Sequence, residues 1–515
     1  MTTQTLVAAD TGTGTDTDPV DTTTVHGLLA AAVATRPDAP AVRDASGVWT
    51  YAELDAWSRA YADWLTAQGV GHADRILVRV GNTREFTALM FGALRRGIAF
   101  VPVNPAMKPF HLNTVVPDCD PVLVIGQDAD DTAILRELTD SPVFELDEVR
   151  RDAEARYDAG PAALDEAPVA PDDLALLIYT SGSTSAPKAV VSTHAPVVFA
   201  ARAIQARLNY REDDVVLVAV PVSFDYGLYQ ILLSVIAGAQ VLLTSPDRHV
   251  RLLGALHEHR VTVVPLVPSL GEMLLTLAKR DRREAPPVRL FTNTGAALTG
   301  PVIAQLRAAF PHARVSPMFG TTECKRITVL EPDGDIEHPG SVGRALDCTE
   351  VLILDDDGRL LPPGTVGEIC VRGPHIMTGY WQAPEQTALR FRPDPVTGEV
   401  TLHTGDYGHL DAEGHLYFEG RRDDLFKRKG VRMGTLEIET AALDIDGVTA
   451  AAALAPAEGH DLTLYAVTDL TSDEVLAQLT ERLEAAKIPA ACHLLDALPL
   501  TPNGKTDKQR LRREQ

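Results

Sequence analysis

A run of hydroxyl-bearing side chains follows the apolar segment 174–178. It reads Tyr179-Thr-Ser-Gly-Ser-Thr-Ser-Ala-Pro-Lys188. Small residues let backbone N–H groups approach phosphate oxygens, hydroxyl groups donate further hydrogen bonds, and Lys188 adds a positive charge. The pattern predicts a loop that binds phosphate, although its composition alone is equally compatible with a polar surface loop. It is not a Walker A loop, because GxxxxGK[ST] is absent.

Four further segments with charged or hydroxyl side chains follow in order. They are Phe319-Gly-Thr-Thr-Glu323, His403-Thr-Gly-Asp-Tyr407, Gly420-Arg-Arg-Asp-Asp-Leu-Phe-Lys427 and Pro502-Asn-Gly-Lys505. Each is a weak signal alone, but five in this order are specific. From about residue 25 onwards the chain resembles the superfamily of acyl-CoA synthetases, non-ribosomal peptide synthetase adenylation domains and firefly luciferases. The resemblance implies an ATP-dependent enzyme that activates a carboxylic acid as its acyl-AMP and then passes the acyl group to a second acceptor.

The resemblance assigns residues to ATP. Those that match the loop around the β- and γ-phosphates are Thr180, Ser181, Ser183, Thr184 and Lys188. Ser185 and Ala189 stand where glycines are usual, so the loop is less flexible but still has small side chains there. Phe319 takes a usual tyrosine position for stacking on adenine, and the segment that would line the other side of the base is Gly295, Ala296 and Ala297. Asp406 matches the carboxylate that accepts both ribose hydroxyls, with Arg421 near the ribose and phosphate.

The resemblance also assigns catalytic groups and the cofactors ATP and Mg²⁺. Glu323 matches the acidic residue that helps to hold Mg²⁺ among phosphate oxygens, with Thr322 beside the α-phosphate. Lys505 matches the lysine that bridges the substrate carboxylate and the α-phosphate, where it offsets charge that develops during attack. The alternatives are an ordinary acidic residue at a helix N-terminus for Glu323 and a surface lysine for Lys505.

Two further positions concern movement of a small C-terminal domain. Asp423 falls where that domain would rotate, and Gly430 lies in the loop expected to line the acceptor tunnel after the rotation. The alternative for segment 420–432 is a solvated, charged linker.

The acyl pocket is predicted around Phe224-Asp225-Tyr226-Gly227, where amino-acid-activating members carry an aspartate that pairs with the substrate ammonium. A buried carboxylate needs a cationic partner, although Asp225 could instead cap the following helix. Arg326 maps to the pocket wall and could hold a second carboxylate bidentately, or form a surface ion pair. The other residues assigned to the substrate pocket are Phe224, Tyr229, Thr294 and Met318.

Asp225 for an amine and Arg326 for an acid together suggest an acidic amino acid. The pattern resembles the stand-alone enzymes that load β-amino acids, such as aspartate or 3-methylaspartate, in macrolactam polyketide biosynthesis. The β-carboxylate would then be adenylated. No carrier-protein signature follows Lys505, so the acceptor thiol is expected on a discrete carrier protein with a phosphopantetheine arm, or on coenzyme A. The alternative functions are an acyl- or aryl-CoA ligase and a non-catalytic nucleotide-binding regulator.

The elements that position these residues alternate between strand and helix as far as about Gly340. Apolar runs such as 76–80, 215–220 and 261–267, with helical spacing between them, predict doubly wound parallel sheets covered on both faces. Shorter runs separated by turns then predict an antiparallel β-subdomain. We expect an α/β protein with a disordered tail at 1–24, a large domain at 25–422 and a small mobile α+β domain at 423–515 that carries the catalytic lysine.

Composition limits the partners and the compartment. The 515 residues carry a net charge of −24, which disfavours broad binding to nucleic acid or anionic membranes. No apolar run has the length of a membrane span. The five cysteines form no CxxC pair, and residues 1–24 lack the features of a signal peptide. These features predict a cytoplasmic protein with reduced thiols.

Overall fold

The structure is a computed structural model that describes residues 22–160, 168–180, 187–245, 251–394, 396–421, 425–428, 431–457, 460–501 and 505–513. Its helices are α1 (Val25–Thr35), α2 (Tyr51–Ala67), α3 (Arg84–Leu94), α4 (Pro109–Cys119), α5 (Ala129–Arg136), α6 (Leu146–Asp158), α7 (His194–Leu208), α8 (Asp225–Ala237), α9 (Leu252–Glu258), α10 (Pro268–Ala278), α11 (Gly300–Ala309), α12 (Pro384–Arg390), α13 (Thr435–Leu443), α14 (Ser472–Thr480) and α15 (Lys508–Arg513).

The strands of the first half are β1 (Pro40–Asp44), β2 (Gly47–Thr50), β3 (Arg75–Arg79), β4 (Ala99–Pro102), β5 (Leu123–Gly126), β6 (Val143–Glu145), β7 (Leu174–Thr180), β8 (Lys188–Thr193), β9 (Val215–Val218), β10 (Gln240–Leu243), β11 (Val263–Leu266), β12 (Leu290–Asn293) and β13 (Arg314–Phe319). Those that follow are β14 (Thr328–Val329), β15 (Arg344–Ala345), β16 (Glu350–Leu354), β17 (Gly367–Arg372), β18 (Gly379–Tyr380), β19 (Phe391–Pro393), β20 (Val400–Leu410), β21 (Leu416–Arg421), β22 (Leu425–Arg428), β23 (Val431–Gly434), β24 (Val448–Leu454), β25 (Thr463–Thr468) and β26 (Ala491–Leu494).

Two large sheets form the body of the protein. One has nine strands in the order β15-β14-β13-β12-β11-β9-β10-β1-β2, and its six central strands from β13 to β1 are parallel. The other has seven strands in the order β18-β8-β7-β4-β3-β5-β6, with β7 to β6 parallel and β8 and β18 antiparallel. The central strands are apolar because helices cover both faces. The predicted α/β fold is therefore confirmed.

One continuous apolar core joins the two large sheets through the helices between them. Its buried members include Trp64 on α2, Phe91 on α3, Val78 on β3, Leu232 on α8 and Val264 on β11. The local sequence also determines where α2 begins. Thr50 and Glu53 form a capping box at the start of α2, where each satisfies a backbone N–H that the first helical turn leaves open.

The antiparallel subdomain and the small C-terminal domain follow. Strands β16, β17, β20 and β19 pair antiparallel in that order, with β21 added to β20. Beyond them, β24, β25 and β26 form a separate sheet that packs with α13 and α14 around a core of its own, which includes Ile438, Leu464, Val475 and Leu479. The predicted arrangement of a large domain followed by a small α+β domain is thus confirmed.

The predicted domain boundaries are described only in part. Asp423 and residues 1–21 lie outside the described residues. Thr24, the last residue of the predicted tail, is the N-cap of α1 and accepts a hydrogen bond from the N–H of Gly27. Among the described helices, none has both the length and the apolarity that crossing a membrane requires.

Candidate active site

A cavity of about 740 Å³ collects most of the predicted functional residues. Those that line it are Thr180, Lys188, Phe224, Asp225, Thr294, Gly295, Ala296, Ala297, Met318, Phe319, Thr322, Glu323, Arg326, Asp406, Arg421 and Lys505. Tyr229 is buried outside the cavity lining. Five predicted residues lie outside the described part of the chain, namely Ser181, Ser183, Thr184, Asp423 and Gly430.

The cavity lies at the carboxyl ends of parallel strands. Phe319 is the last residue of β13, the segment from Thr294 to Ala297 follows β12 directly, and Asp225 follows β9 by a short loop. Ligands of open α/β sheets bind at such strand ends, because the loops there converge. Thr180 and Lys188 face each other across the β7–β8 pair, so the two ends of the predicted phosphate loop are held together by strand pairing.

A tight turn after β13 places two site residues. Gly320 allows it, because a Cβ atom there would overlap the backbone of Lys325, which itself has a φ of 66°. The N–H groups of Cys324 and Lys325 both donate to the carbonyl oxygen of Thr321. The turn therefore brings both Glu323 and Arg326 to the cavity, three residues apart.

Glu323 is held by a residue that the sequence did not reveal. The phenol of Tyr380 on β18 donates to Oε1 of Glu323 at 2.6 Å, and Nζ of Lys188 lies 5.8 Å from the Tyr380 ring centroid. Burial and the Glu323 carboxylate raise the pKa of Tyr380 well above its usual value, so the phenol stays a donor. No other hydrogen bond or ion pair reaches the Glu323 side chain from the described residues. A carboxylate oxygen facing the predicted phosphate site fits the ligand preference of Mg²⁺.

Asp406 is presented by the β20–β21 pair. It is directly opposite Arg421 in register, with 3.4 Å between Arg421 Nε and Asp406 Oδ1. Burial raises the pKa of Asp406 to about 6, although the charge of Arg421 acts in the opposite direction. The side chain is only 6% exposed and lines the cavity, where its carboxylate could accept hydrogen bonds from two hydroxyl groups. Glu368 supports this strand by accepting from the N–H of Gly405.

The ring of Phe319 is stacked on a second aromatic side chain. Phe418 of β21 lies with its ring centroid 5.2 Å from that of Phe319 and an angle of 29° between the planes. Both residues line the cavity, as does the segment from Thr294 to Ala297. Phe418 could not be selected from the sequence, because its contact with Phe319 depends on the placement of β21 beside β13.

Asp225 is buried in the cavity near two lysines. It is the first residue of α8, the residue is 4% exposed, and it makes no hydrogen bond or ion pair within the described ranges. The carboxylate is close enough to Lys505 and Lys325 for its charge to favour their protonated forms. Phe224 occupies the N-cap, and that cap lacks a side-chain hydrogen bond, so the helix-capping alternative for Asp225 is not supported. The carboxylate lies in the first turn of α8, at the positive end of the helix dipole.

Arg326 is buried rather than at the surface. Its Nη1 donates to the carbonyl oxygen of Lys325 at 2.6 Å, and its Cζ lies 4.9 Å from the ring centroid of Tyr226. Nε of Arg326 has no hydrogen-bond partner, and no carboxylate of the described chain lies within ion-pair distance of the guanidinium. The alternative prediction for Arg326, a surface ion pair, therefore does not agree with the structure.

Lys325 is a second buried cation near the predicted acyl pocket. Lys325 is 1% exposed, its Nζ lies 3.5 Å from Ser192 Oγ, and it is 5.8 Å from the ring centroid of Tyr229. Burial lowers the pKa of Lys325 to about 8, which still leaves it mostly protonated at neutral pH. The sequence placed this lysine in no role, because its burial depends on the turn at Gly320.

Lys505 reaches the cavity from the C-terminal domain. Its Nζ lies 5.6 Å from the ring centroid of Phe224, and a Cβ atom at Gly295 would lie 3.1 Å from its Cε. Gly295 also has a φ of 85°, so both space and backbone favour glycine there. Burial, and then the nearby charge of Arg421, lower the pKa of Lys505. A single cavity thus holds carboxylates of the large domain together with cations from both domains.

The family follows from comparison with known proteins. The model of the AMP-binding enzyme family matches residues 29–381, and that of the AMP-binding enzyme C-terminal domain matches residues 437–505. The chain belongs to the AMP-binding enzyme family and is an AMP-forming ligase. Its relatives include amino-acid-activating enzymes. The L-proline–[L-prolyl-carrier protein] ligase of Pseudomonas fluorescens is 29% identical over 95% of this chain and 99% of its own length.

Solved structures give the same assignment. VinN is 49% identical, with a TM-score of 0.73, over 77% of this chain and 98% of that one, and structures of VinN with L-aspartate and with 3-methylaspartate are known. ATP-bound MatB from Rhodopseudomonas palustris is 27% identical, with a TM-score of 0.85, over 95% of this chain and 99% of that one. The first four curated relatives are far longer, since the chain spans only 6%, 8%, 19% and 13% of their lengths.

Proposed function

We propose that this ligase adenylates an acidic amino acid, such as aspartate or 3-methylaspartate, at its β-carboxylate. The observation that carries the proposal is the guanidinium of Arg326, which is buried at the cavity without a carboxylate partner among the described residues. An isolated buried charge is costly, and a substrate carboxylate would remove that cost. Asp225, which is likewise buried and makes no hydrogen bond or ion pair in the described ranges, supplies the complementary charge for an ammonium.

The two charges select a zwitterion with one additional carboxylate. Asp225 would bind the substrate amine, Arg326 would bind the carboxylate that does not react, and Lys325 adds positive charge behind them. An amine-free aryl acid would leave Asp225 buried and unpaired, and a neutral β-amino acid would leave Arg326 unpaired. The VinN structures with L-aspartate and 3-methylaspartate support this substrate class, since VinN is similar to this chain over 77% of its length.

The cavity residues have separate roles in adenylation. Asp406 would orient the ribose, and Lys188 and Thr180 would meet the β- and γ-phosphates together with the predicted Ser181, Ser183 and Thr184. A substrate carboxylate oxygen attacks the α-phosphorus, and the bond from that phosphorus to the bridging oxygen breaks, so pyrophosphate leaves with the electron pair. Lys505 would bind the carboxylate and the α-phosphate and stabilise the charge on the oxygens during this step, with Thr322 beside the α-phosphate. Glu323 would hold Mg²⁺, which neutralises phosphate charge when bound.

The second half-reaction is proposed to transfer the aminoacyl group to the phosphopantetheine thiol of a discrete carrier protein. The similarity to a prolyl-carrier protein ligase supports this acceptor. A long-chain fatty acid–CoA ligase of Mycobacterium tuberculosis is 28% identical over 90% of this chain, so coenzyme A is the alternative acceptor. The thiol sulfur attacks the acyl carbon, and AMP leaves with the electron pair of the carbon–oxygen bond. The small domain would rotate at Asp423, which removes Lys505 from the cavity and brings Gly430 to the acceptor tunnel.

Pyrophosphate exchange with a panel of acids tests the substrate. We expect aspartate and 3-methylaspartate to support the fastest exchange, followed by β-alanine and 3-aminobutyrate, with benzoate inactive. A preference for neutral β-amino acids would remove only the role of Arg326. A preference for benzoate would reject the amino-acid assignment and favour an aryl-CoA ligase, and no exchange with any acid would favour a non-catalytic nucleotide-binding protein.

A further inference from the structure

A cluster of histidine and carboxylate side chains lies beside the nucleotide cavity, outside the residues used above. His338 follows a short 3₁₀ helix at Gly334–Ile336, and Glu413 and His415 belong to the turn between β20 and β21. Nε2 of His338 lies 3.9 Å, and Nδ1 of His415 lies 4.0 Å, from the same oxygen, Oε2 of Glu413. Oδ2 of Asp411 lies 3.4 Å from Nδ1 of His415. Two imidazoles and two carboxylates therefore converge on one small volume.

The cluster contains a buried nitrogen that lacks a hydrogen bond. The side chain of His415 is 8% exposed, and its Nδ1 has no hydrogen-bond partner among the described residues. This nitrogen is the one that faces Asp411 and Glu413. A buried polar atom without a partner is uncommon and marks a place where a ligand can bind.

The backbone around the cluster is held in place. Asp411 Oδ1 accepts from the N–H groups of both Glu413 and His415 at 2.9 Å. The N–H of Val342 donates to the carbonyl oxygen of Leu416, which also accepts from Ser341 Oγ. The segment after His338 and the turn that carries Glu413 and His415 are thus already bonded to each other, so little backbone ordering would accompany binding.

We propose that His338, Glu413 and His415, with Asp411, bind a divalent transition-metal ion of the zinc type. Imidazole nitrogen and carboxylate oxygen are ordinary zinc ligands, at about 2.0–2.2 Å from the ion. All three ligand atoms of His338, Glu413 and His415 lie within 4.8 Å of one another, so moderate side-chain movement brings them to one ion. The exposed Glu413 can supply part of that movement, and it would exchange its contact with Arg344 for the ion.

Binding of one ion by both histidines also requires a change in the stacking of their imidazole rings. The rings of His338 and His415 are stacked with centroids 3.6 Å apart and 27° between their planes. One ion cannot lie in the planes of two stacked rings, so the His338 ring turns out of the stack as the ion binds. Its side chain is 23% exposed, which leaves room for this turn. The bound ion would brace the β20–β21 turn against segment 338–343, which contributes residues to the nucleotide cavity.

Calorimetric titration of tag-free, chelator-treated protein with Zn²⁺, without nucleotide, tests the site. We expect about one equivalent to bind to the wild type, and His338→Ala to bind at least about tenfold more weakly. His312→Ala, at an exposed histidine away from the cluster, is the matched control and should bind like the wild type. His338→Ala is preferred to a His415 variant because His415 is buried.

A second group, Glu368, Cys370 and His403, could also hold an ion and must be distinguished. In this group, Nδ1 of His403 already lies 2.9 Å from Oε2 of Glu368, and both residues line the nucleotide cavity. Cys370→Ser should therefore leave Zn²⁺ binding unchanged, and Co²⁺ bound to the wild type should show no thiolate-to-metal charge-transfer band. Equal Zn²⁺ affinity of wild type and His338→Ala, loss of binding in Cys370→Ser, or no saturable binding to the wild type would each overturn the proposal.

Discussion

Replacing Arg326 with leucine removes the guanidinium from the acyl side of the cavity and keeps an apolar side chain of moderate size there. Opposite unit charges about 4 Å apart interact by about 4 kcal/mol at an effective dielectric constant of about 20. Breaking a buried pair costs about 3–5 kcal/mol. We take the lower figure, about 3 kcal/mol, because the leucine variant leaves only the substrate carboxylate unpaired and the cavity admits water. This corresponds to about a hundredfold in kcat/KM for aspartate.

The comparison between substrates isolates this effect. 3-Aminobutyrate has the amine that Asp225 would bind but has no second carboxylate, so its kcat/KM in Arg326→Leu should be unchanged or increased. The specificity ratio of aspartate to 3-aminobutyrate, measured by pyrophosphate exchange, should therefore fall by about a hundredfold. Arg314→Leu, at an exposed arginine on β13 outside the cavity, is the matched control and should keep the ratio.

Loss of stability is a separate consequence of the same substitution. Arg326→Leu leaves the carbonyl oxygen of Lys325 without its 2.6 Å donor, which costs about 1–3 kcal/mol. The substitution also removes a buried charge, which acts in the opposite direction, so the stability of the variant is the net of two effects. Thermal unfolding of the variant separates this loss from the change in specificity. An equal fall in kcat/KM for aspartate and for 3-aminobutyrate would refute the role of Arg326 as a carboxylate ligand, since global destabilisation does not discriminate between substrates.

Three further outcomes follow from the cavity. Lys505→Ala should lower adenylation by about 3 kcal/mol and affect thioester formation from supplied aminoacyl-AMP much less, so equal losses in the two half-reactions would contradict the two-pose mechanism. Tyr380→Phe removes a hydrogen bond to a charged group worth about 1.5–3 kcal/mol, so the Mg²⁺ concentration for half-maximal exchange should rise, whereas Tyr417→Phe should leave it unchanged. Because burial raises the pKa of Asp406 to about 6, KM for ATP should increase as pH falls below that value and the carboxylate becomes protonated, and Asp406→Asn should flatten this dependence.

The elements were predictable where local pattern determines them. The apolar run predicted at 76–80 coincides with β3 (Arg75–Arg79) to within one residue at each end. Buried parallel strands read as continuous apolar runs because both faces are covered, so β7, β9 and β11 lie within or across their predicted runs. The antiparallel strands β8 and β18 at the edge of the seven-stranded sheet were not predicted, since β18 is two residues long and depends on pairing with β8.

The site was predictable where a motif keeps its residues close in sequence. Glu323 and Arg326 are three residues apart, and both reach the cavity through the turn that Gly320 permits. Tyr380 and Phe418 come from distant strands and carry no local signal, so only the fold reveals their contacts with Glu323 and Phe319. Tyr229 shows that closeness in sequence is not sufficient. It lies one helical turn after Asp225, but of these two residues only Asp225, at the start of α8, lines the cavity.

The charges in the cavity connect nucleotide binding to the position of the small domain. In the described pose, burial and the charge of Arg421 lower the pKa of Lys505, while the carboxylates of Asp225 and Asp406 act in the opposite direction. Desolvation and the repulsion from Arg421 therefore oppose the placement of this lysine without a nucleotide, and the two carboxylates offset part of that cost. Under the proposed mechanism, phosphates placed among the same cations would attract Lys505, so we expect ATP to favour the pose in which Lys505 is inserted. Departure of pyrophosphate would remove most of that negative charge while Arg421 remains, and we expect this to favour withdrawal of Lys505. The proposed order of the two half-reactions would then follow from the charge that each step leaves in the cavity.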